Sequence, residues 1–272
     1  MRQFSLINAN GETYDLTLKY SAFLHSVGGL GAKFDTEFQR IGGHFSLLSY
    51  YAAQGKISGS VHLWSEAEYF SFAKFCQRRP ITLLYTRDDV TFRRDGIITS
   101  ISKDETDPLN ANIEFTCQTP FYSVVSVYNE GSVTGGKVYP YTYDYEYAES
   151  AAQSVTITSD SANDSPCRIT IYGIAENPTW SHYLNNELIA TGKVNATIAA
   201  DRKLVIDTTV IPYQIHLYDL QGNFVQDLYQ SSDFSTERFF SLGYGQNVIS
   251  VSAENVGVIR LGVEGMIEYE SV

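Results

Sequence analysis

Cysteine is scarce in this chain: 272 residues hold three, Cys76, Cys117 and Cys167, far apart and without a Cys-x-x-Cys pair. That spacing removes the usual zinc and dithiol signatures, and the three read as small apolar core residues of a chain made in a reducing cytoplasm. Long apolar runs are missing as well. No stretch approaches the roughly 18 residues a membrane helix needs, so no membrane partner is expected. The opening Met1-Arg2-Gln3-Phe4-Ser5 lacks the apolar run of a signal peptide, and export by the ordinary secretory route is not expected. Charge is sparse at 18 %, and positive charge is the minority: 19 Lys and Arg stand against 31 Asp and Glu, a net −12. The imbalance is local. Residues 1–130 carry twelve basic and fourteen acidic side chains, residues 131–272 seven and seventeen. An acidic second half repels phosphate backbones and anionic lipid, which argues against nucleic-acid binding. The basic pairs Arg78-Arg79 and Arg93-Arg94 read as solvated turns and strand ends.

Reactive constellations are missing too. His25, His44, His62, His182 and His216 do not cluster at metal-ligand spacing, and no His-Glu-x-x-His or Gly-x-Ser-x-Gly element occurs. Gly28-Gly29-Leu30-Gly31 lacks the Lys-Ser ending of a phosphate loop and a following helix, so it reads as a flexible or closely packed backbone segment. Asp144 and Glu146 share one side of an extended stretch and are read as solubilising that edge. No catalytic residue, cofactor or metal is expected, and the chain is read as a non-enzyme.

What is abundant points to strands. Aromatics reach 14 %, with 20 Tyr, and apolar residues 43 %, the composition of half-buried β structure. Phe4–Ile7 and Thr13–Leu18 flank Asn10-Gly11, a hairpin turn. Strand patterns follow at 45–50, 57–64, 81–86, 96–101 and 112–117. One helix interrupts them: Ser65 and Glu68 form a capping box, Tyr69, Phe72, Phe75 and Cys76 recur on one face, Arg78 and Arg79 suit its last turn, and Pro80 stops it. Tyr stands at every odd position from 139 to 147, which in an extended chain puts five rings on one side. Short strands resume from Val155, with a turn at Gln221-Gly222-Asn223, and imply a β-sandwich. The expected organisation is an N-terminal domain at 1–130, a Tyr-rich linker at 131–150 and a second domain at 151–272. Tyr141, Tyr143, Tyr145 and Trp180 are candidates for stacking on saccharide or between domains, although a covering or core role is the simpler reading.

Composition and pattern reach a mainly β, two-domain protein without a visible active site. Several segments go further. Gly29-Leu30-Gly31, Gly43-His44-Phe45, Ile57-Ser58-Gly59-Ser60-Val61, the helix at 65–79, Gly135-Gly136-Lys137-Val138-Tyr139-Pro140-Tyr141, Ser165–Gly173 and Ser232–Thr236 together resemble the distal tail proteins of phages that infect Gram-positive bacteria. The resemblance implies an N-terminal tail-tube-like β-sandwich or split barrel with one α-helix, and a galectin-like or carbohydrate-module-like C-terminal β-sandwich. It also implies a homo-oligomer, a hexameric ring at the virion tail tip, assembled in the host cytoplasm. Such a ring joins the tail tube protein to the tail-associated hub or lysin protein and to receptor-binding proteins or host saccharide. Gly28, Gly29, Leu30 and Gly31 are then candidates for a subunit interface. The alternative is a carbohydrate-binding adhesion module of a tail or tail-like bacteriocin.

Overall fold

A computed structural model describes residues 2–17, 22–129, 153–254 and 259–272. The expected linker at 131–150, with Tyr141, Tyr143 and Tyr145, lies outside the described residues. The fold is mainly β, and the contacts divide it into two compact units: Met1–Ser123 with Glu268–Val272, and Val124–Ile267. In sequence, the second unit is thus set inside the first.

In the first unit, β1 (Gln3–Asn8) and β2 (Thr13–Asp15) form the expected hairpin, with Gly11 at φ +76° in its turn. The described strand ends at Asp15, whose carboxylate accepts from the Thr17 amide and hydroxyl, at 2.8 and 2.7 Å, and draws the chain out of the ladder; Leu18, where the expected strand ended, lies outside the described residues. Next come β3 (Ala22–Gly28), β4 (Phe34–Ile41), β5 (His44–Ala52) and β6 (Lys56–Leu63). After the helix α1 (Glu66–Cys76) follow β7 (Ile81–Arg87), β8 (Val90–Asp104) and β9 (Asp107–Cys117), and then β10 (Phe121–Asn129), whose residues from Val124 on belong to the second unit. Asp88 and Asp89, both at positive φ, make the two-residue turn between β7 and β8.

The pairing order β2-β1-β7-β8 continues as β8-β9-β6-β3, because β8 is long enough to serve two neighbours. Its change of partner falls at Gly96, which pairs with both Ile81 and Cys117. A Cβ at Gly96 would lie 2.3 Å from the Thr116 carbonyl oxygen and 2.7 Å from the Phe115 ring, so the corner excludes any side chain. Alternate residues of these strands, among them Leu6, Leu83, Tyr85, Ile57, Val61, Ile113 and Phe115, fill one core. The helix covers it with Phe72, Phe75 and Cys76, and Tyr69 packs at the margin. Ser65 caps α1 by accepting from the Glu68 amide, while the Glu68 carboxylate reaches one residue further back than expected, to the Trp64 amide at 2.8 Å. Arg78 and Arg79 fall beyond the helix, whose last turn holds Lys74 instead. Arg78 pairs with Glu12 in the β1–β2 turn, a carboxylate partner that outcompetes helix carbonyls.

The second unit pairs β11 (Gln153–Ser159), β20 (Gly245–Ser252), β14 (Thr179–Leu184) and β15 (Glu187–Lys193) in one antiparallel sheet. A second sheet runs β21 (Arg260–Tyr269), β12 (Cys167–Tyr172), β17 (Arg202–Asp207), β18 (Gln214–Asp219) and β19 (Phe224–Asp227). Two short strands, β13 (Ala175–Glu176) and β16 (Thr197–Ile198), pair separately. The inward residues of the two sheets meet: Ile157 of β11 approaches within 3.8 Å of the Cβ position of Gly265 on β21. All three cysteines are buried thiols, and burial pushes Cys76 and Cys167 up to about 12, far from a reactive thiolate. His182 is buried too, stacked at 4.3 Å on Phe240 and hydrogen-bonded to Asn247 at 2.9 Å. Burial lowers its pKa, which keeps the imidazole neutral inside the sandwich.

Candidate assembly interface

Strands β4 and β5 stand apart from the core they leave. They form a two-stranded sheet of their own, turned by Gly42 at φ +61° and Gly43. None of their residues is buried. Yet the arm is rich in large apolar side chains: Phe38, Ile41, Phe45, Leu47, Leu48, Tyr50 and Tyr51 each leave half or more of their surface open, Phe45 as much as 71 %. Single exposed apolar residues are ordinary, but a contiguous set on one element marks a surface that another molecule covers. The register orders it. Phe38 faces Leu47 across the ladder and Arg40 faces Phe45, so the four share one side, three of them apolar. A bulge after Glu37 twists the ladder there, and beyond it Phe34 stacks on Tyr50 at 4.6 Å. An isolated hairpin in water is marginally stable at best, and this one keeps its large apolar side chains uncovered among the described residues.

Its root is held rigidly. The Ala53 amide donates to the Lys33 carbonyl at 2.8 Å, closing the base. The candidate glycines lie just before it, and their places differ. Gly28 ends β3; Gly29, at φ +88°, passes so close under β6 that a Cβ would sit 2.0 Å from the Lys56 carbonyl oxygen. Leu30 packs on the core of its own unit. Gly31 has open space around it. Gly29→Ala is therefore expected to cost about 1–3 kcal/mol of folding stability, read from urea unfolding, whereas Gly31→Ala is expected to unfold like the parent. On the other side of the root, Gly55 leaves room for Arg94: a Cβ there would lie 2.2 Å from its Nη2. The Arg94 guanidinium is buried over the Phe121 ring at 4.6 Å, and its Nε donates to the Thr119 carbonyl at 3.0 Å. Desolvation lowers its pKa. This charge is structural, pinning the chain where it leaves the arm at Gly55 to the Thr119–Phe121 segment.

Trp180 has no part in a surface. It is 0 % exposed, its Nε1 donates to the Arg238 carbonyl at 3.0 Å, and its ring fills the place a Gly192 side chain would take, 2.4 Å from the Cβ position. As a saccharide platform it is corrected: no ring face is free. Among the described residues no three His, Cys, Asp or Glu side chains are placed to hold a metal, and no helix is long and apolar enough to cross a membrane. The arm itself gave no sequence signal beyond the strand at 45–50, because β4 mixes charged and apolar residues without regular alternation and buries no face.

Comparisons with known proteins agree with this frame. Residues 3–123 match the family profile of the distal tail protein N-terminal domain. No curated protein matches the chain in sequence. Among solved structures, a chain of the phage p2 baseplate in its activated conformation with Sr is similar over 100 % of both chains, at 14 % identity and TM-score 0.64. The phage SPP1 Dit protein, described as a paradigm of hub adsorption apparatus in Gram-positive infecting phages, is similar over 98 % of this chain and 99 % of its own, at 9 % identity and TM-score 0.63. Residues 3–123 thus match the distal tail protein N-terminal domain, and the whole chain shares its fold with the phage p2 baseplate chain and the phage SPP1 Dit protein.

Proposed function

We propose that the chain is a distal tail protein, a structural, non-enzymatic component that closes into a hexameric ring and joins the tail tube to the tail-associated hub protein. The observation that carries this reading is the β4–β5 arm, which offers an ordered apolar face with no partner of its own among the described residues. A heterologous contact, arm of one copy against the body of the next, generates a closed ring when the rotation closes. The family and the matched baseplate fold support the setting, a virion tail tip assembled in the host cytoplasm. The same arm, rather than the glycines at 28–31, is where the first unit meets its neighbour; Gly28 and Gly29 shape its root. Receptor-binding proteins attach to the second unit. The test is the native mass of the purified full chain: about six times 30.4 kDa supports the ring, and a single-chain mass at micromolar concentration refutes it.

A further inference from the structure

The segment at 238–243 crosses the second unit outside the strand ladders, with one backbone bridge, Leu242 to Ser165. Side chains hold the rest of it. Trp180 Nε1 donates to the Arg238 carbonyl at 3.0 Å and Thr208 Oγ1 to the Phe240 carbonyl at 3.4 Å. At its far end, Asn247 Oδ1 accepts from the Gly243 amide at 3.0 Å, and Asn247 Nδ2 donates to the Gly243 and Gly245 carbonyls at 2.9 and 3.1 Å. His182 of β14 ties these together, with its ring stacked on Phe240 and its Nε2 against Asn247 Oδ1. Asn247 spends its amino group on two carbonyls, so Oδ1 is an acceptor and His182 Nε2 carries the proton. That leaves Nδ1 as the basic nitrogen. It is sealed from solvent and meets no hydrogen-bond partner among the described residues.

This setting accepts only the neutral ring. A proton on Nδ1 makes a second N–H without an acceptor and a buried cation without a counterion; the Phe240 face offsets only part of that cost. Ala190 and Ile249 lie opposite His182 on the two flanking strands. The charged and titratable groups on the elements around the ring are Tyr183 on β14, Glu187 and Lys193 at the ends of β15, Arg238 and Tyr244 at the ends of the crossing segment, and the Cys167 thiol at the Phe240 carbonyl. Among the described residues none of them bonds to the imidazole, and β20 carries no charge. We infer that His182 is an acid-sensitive latch, whose protonation releases the segment at 238–243 from β14 and β20 and loosens the second unit. The sign follows from burial, which holds the folded imidazole below its ordinary value. The latch is closed in full above the unfolded histidine's pKa of about 6.5 and weakens as pH falls below it. Carboxylates act elsewhere on the scale. Asp219, Asp233 and Glu254 are held below their usual range by hydrogen bonds, from Asn223, Ser235 and Lys193 first, so their contribution lasts until more acid pH. Glu268, raised by burial, belongs to the first unit and acts in the opposite sense. The inference concerns the second unit alone and does not rest on ring closure.

The experiment uses the full chain with Trp64→Phe, which leaves Trp180 as its one indole, and follows urea unfolding of the second unit by Trp180 fluorescence. Between about pH 7.5 and about pH 5.2 the unfolding equilibrium constant is expected to rise about tenfold or more. His182→Gln keeps an N–H for Asn247 Oδ1 but has no basic nitrogen, and it is expected to lose most of that rise whatever its stability at the higher pH. His216→Gln, at the other histidine of the unit, is expected to retain it. A second measurement needs no variant at position 182: in the native protein the His182 Cε1–H proton resonance is expected to stay unshifted down to about pH 5.5. An unfolding constant that does not change with pH in the parent overturns the inference. So does a full rise in His182→Gln, or a native His182 resonance that titrates near its ordinary value.

Discussion

With Phe38, Phe45 and Leu47 all replaced by serine, the protein is expected to run as a 30.4-kDa monomer while keeping the far-ultraviolet signature of a folded β protein. The three side chains share one face of the β4–β5 ladder and none is buried within its own chain. Their removal therefore takes nothing from the core. Burying each fully contributes about 1.5–3 kcal/mol, so losing three weakens each contact by up to about 4–9 kcal/mol, or roughly three to six decades in dissociation constant. Serine preserves the backbone pairing of the arm and adds no charge. Ser46→Ala/Ser49→Ala, on the same hairpin, is the matched control and is expected to leave the native mass unchanged. Sedimentation velocity at micromolar concentration reads both. An intact assembly in the triple variant would mean that the exposed face of the arm is not where subunits meet.

Trp180→Ala is expected to be among the most damaging single changes in the second unit. The ring is fully enclosed and closes against Gly192, so truncation opens a large cavity, at about 3–5 kcal/mol for an aromatic-to-alanine change. The Arg238 carbonyl also loses its indole donor, a further cost of about 1 kcal/mol. Against a total stability of about 5–15 kcal/mol for a typical domain, this is a large shift of the urea midpoint, and the second unit should unfold well before the first. A Trp180→Ala protein as stable as its parent, but altered in saccharide binding, would restore the surface role that its burial rules out.

Much of the first unit was legible in the order of its residues. Asn10-Gly11 turns a hairpin, Ser65 and Glu68 open a helix, and Pro80 follows it, because each acts on backbone within a few residues of itself. The cap pairing was displaced by one amide and the helix closed at Cys76, since Arg78 found Glu12, a partner far away in sequence. The arm was half legible. Phe45–Tyr50 reads as a strand, but Phe34–Ile41 mixes Asp35, Glu37 and Arg40 with Phe38 and Ile41, and no alternation shows where neither face is buried. Among the glycines at 28–31, Gly29 is required by a close backbone crossing, which no local pattern shows because the strand it crosses lies more than twenty residues away. Strands β14 and β15 were not foreseen, and the setting of His182 brings it together with Phe240 and Asn247, residues that share no periodicity with it.

Class and charge follow from the residue order alone: a mainly β chain with one helix, an acidic second half, and no paired cysteines. These are sums of local preferences, and they survive whatever the chain packs against. The tertiary structure alone decided which aromatic and aliphatic side chains stay uncovered. Phe45 and Phe115 are the same residue in strands of similar length, and one faces solvent while the other is sealed in the core. Burial depends on what lies across the pairing ladder and on the layer above it, and those neighbours are tens of residues away in the chain.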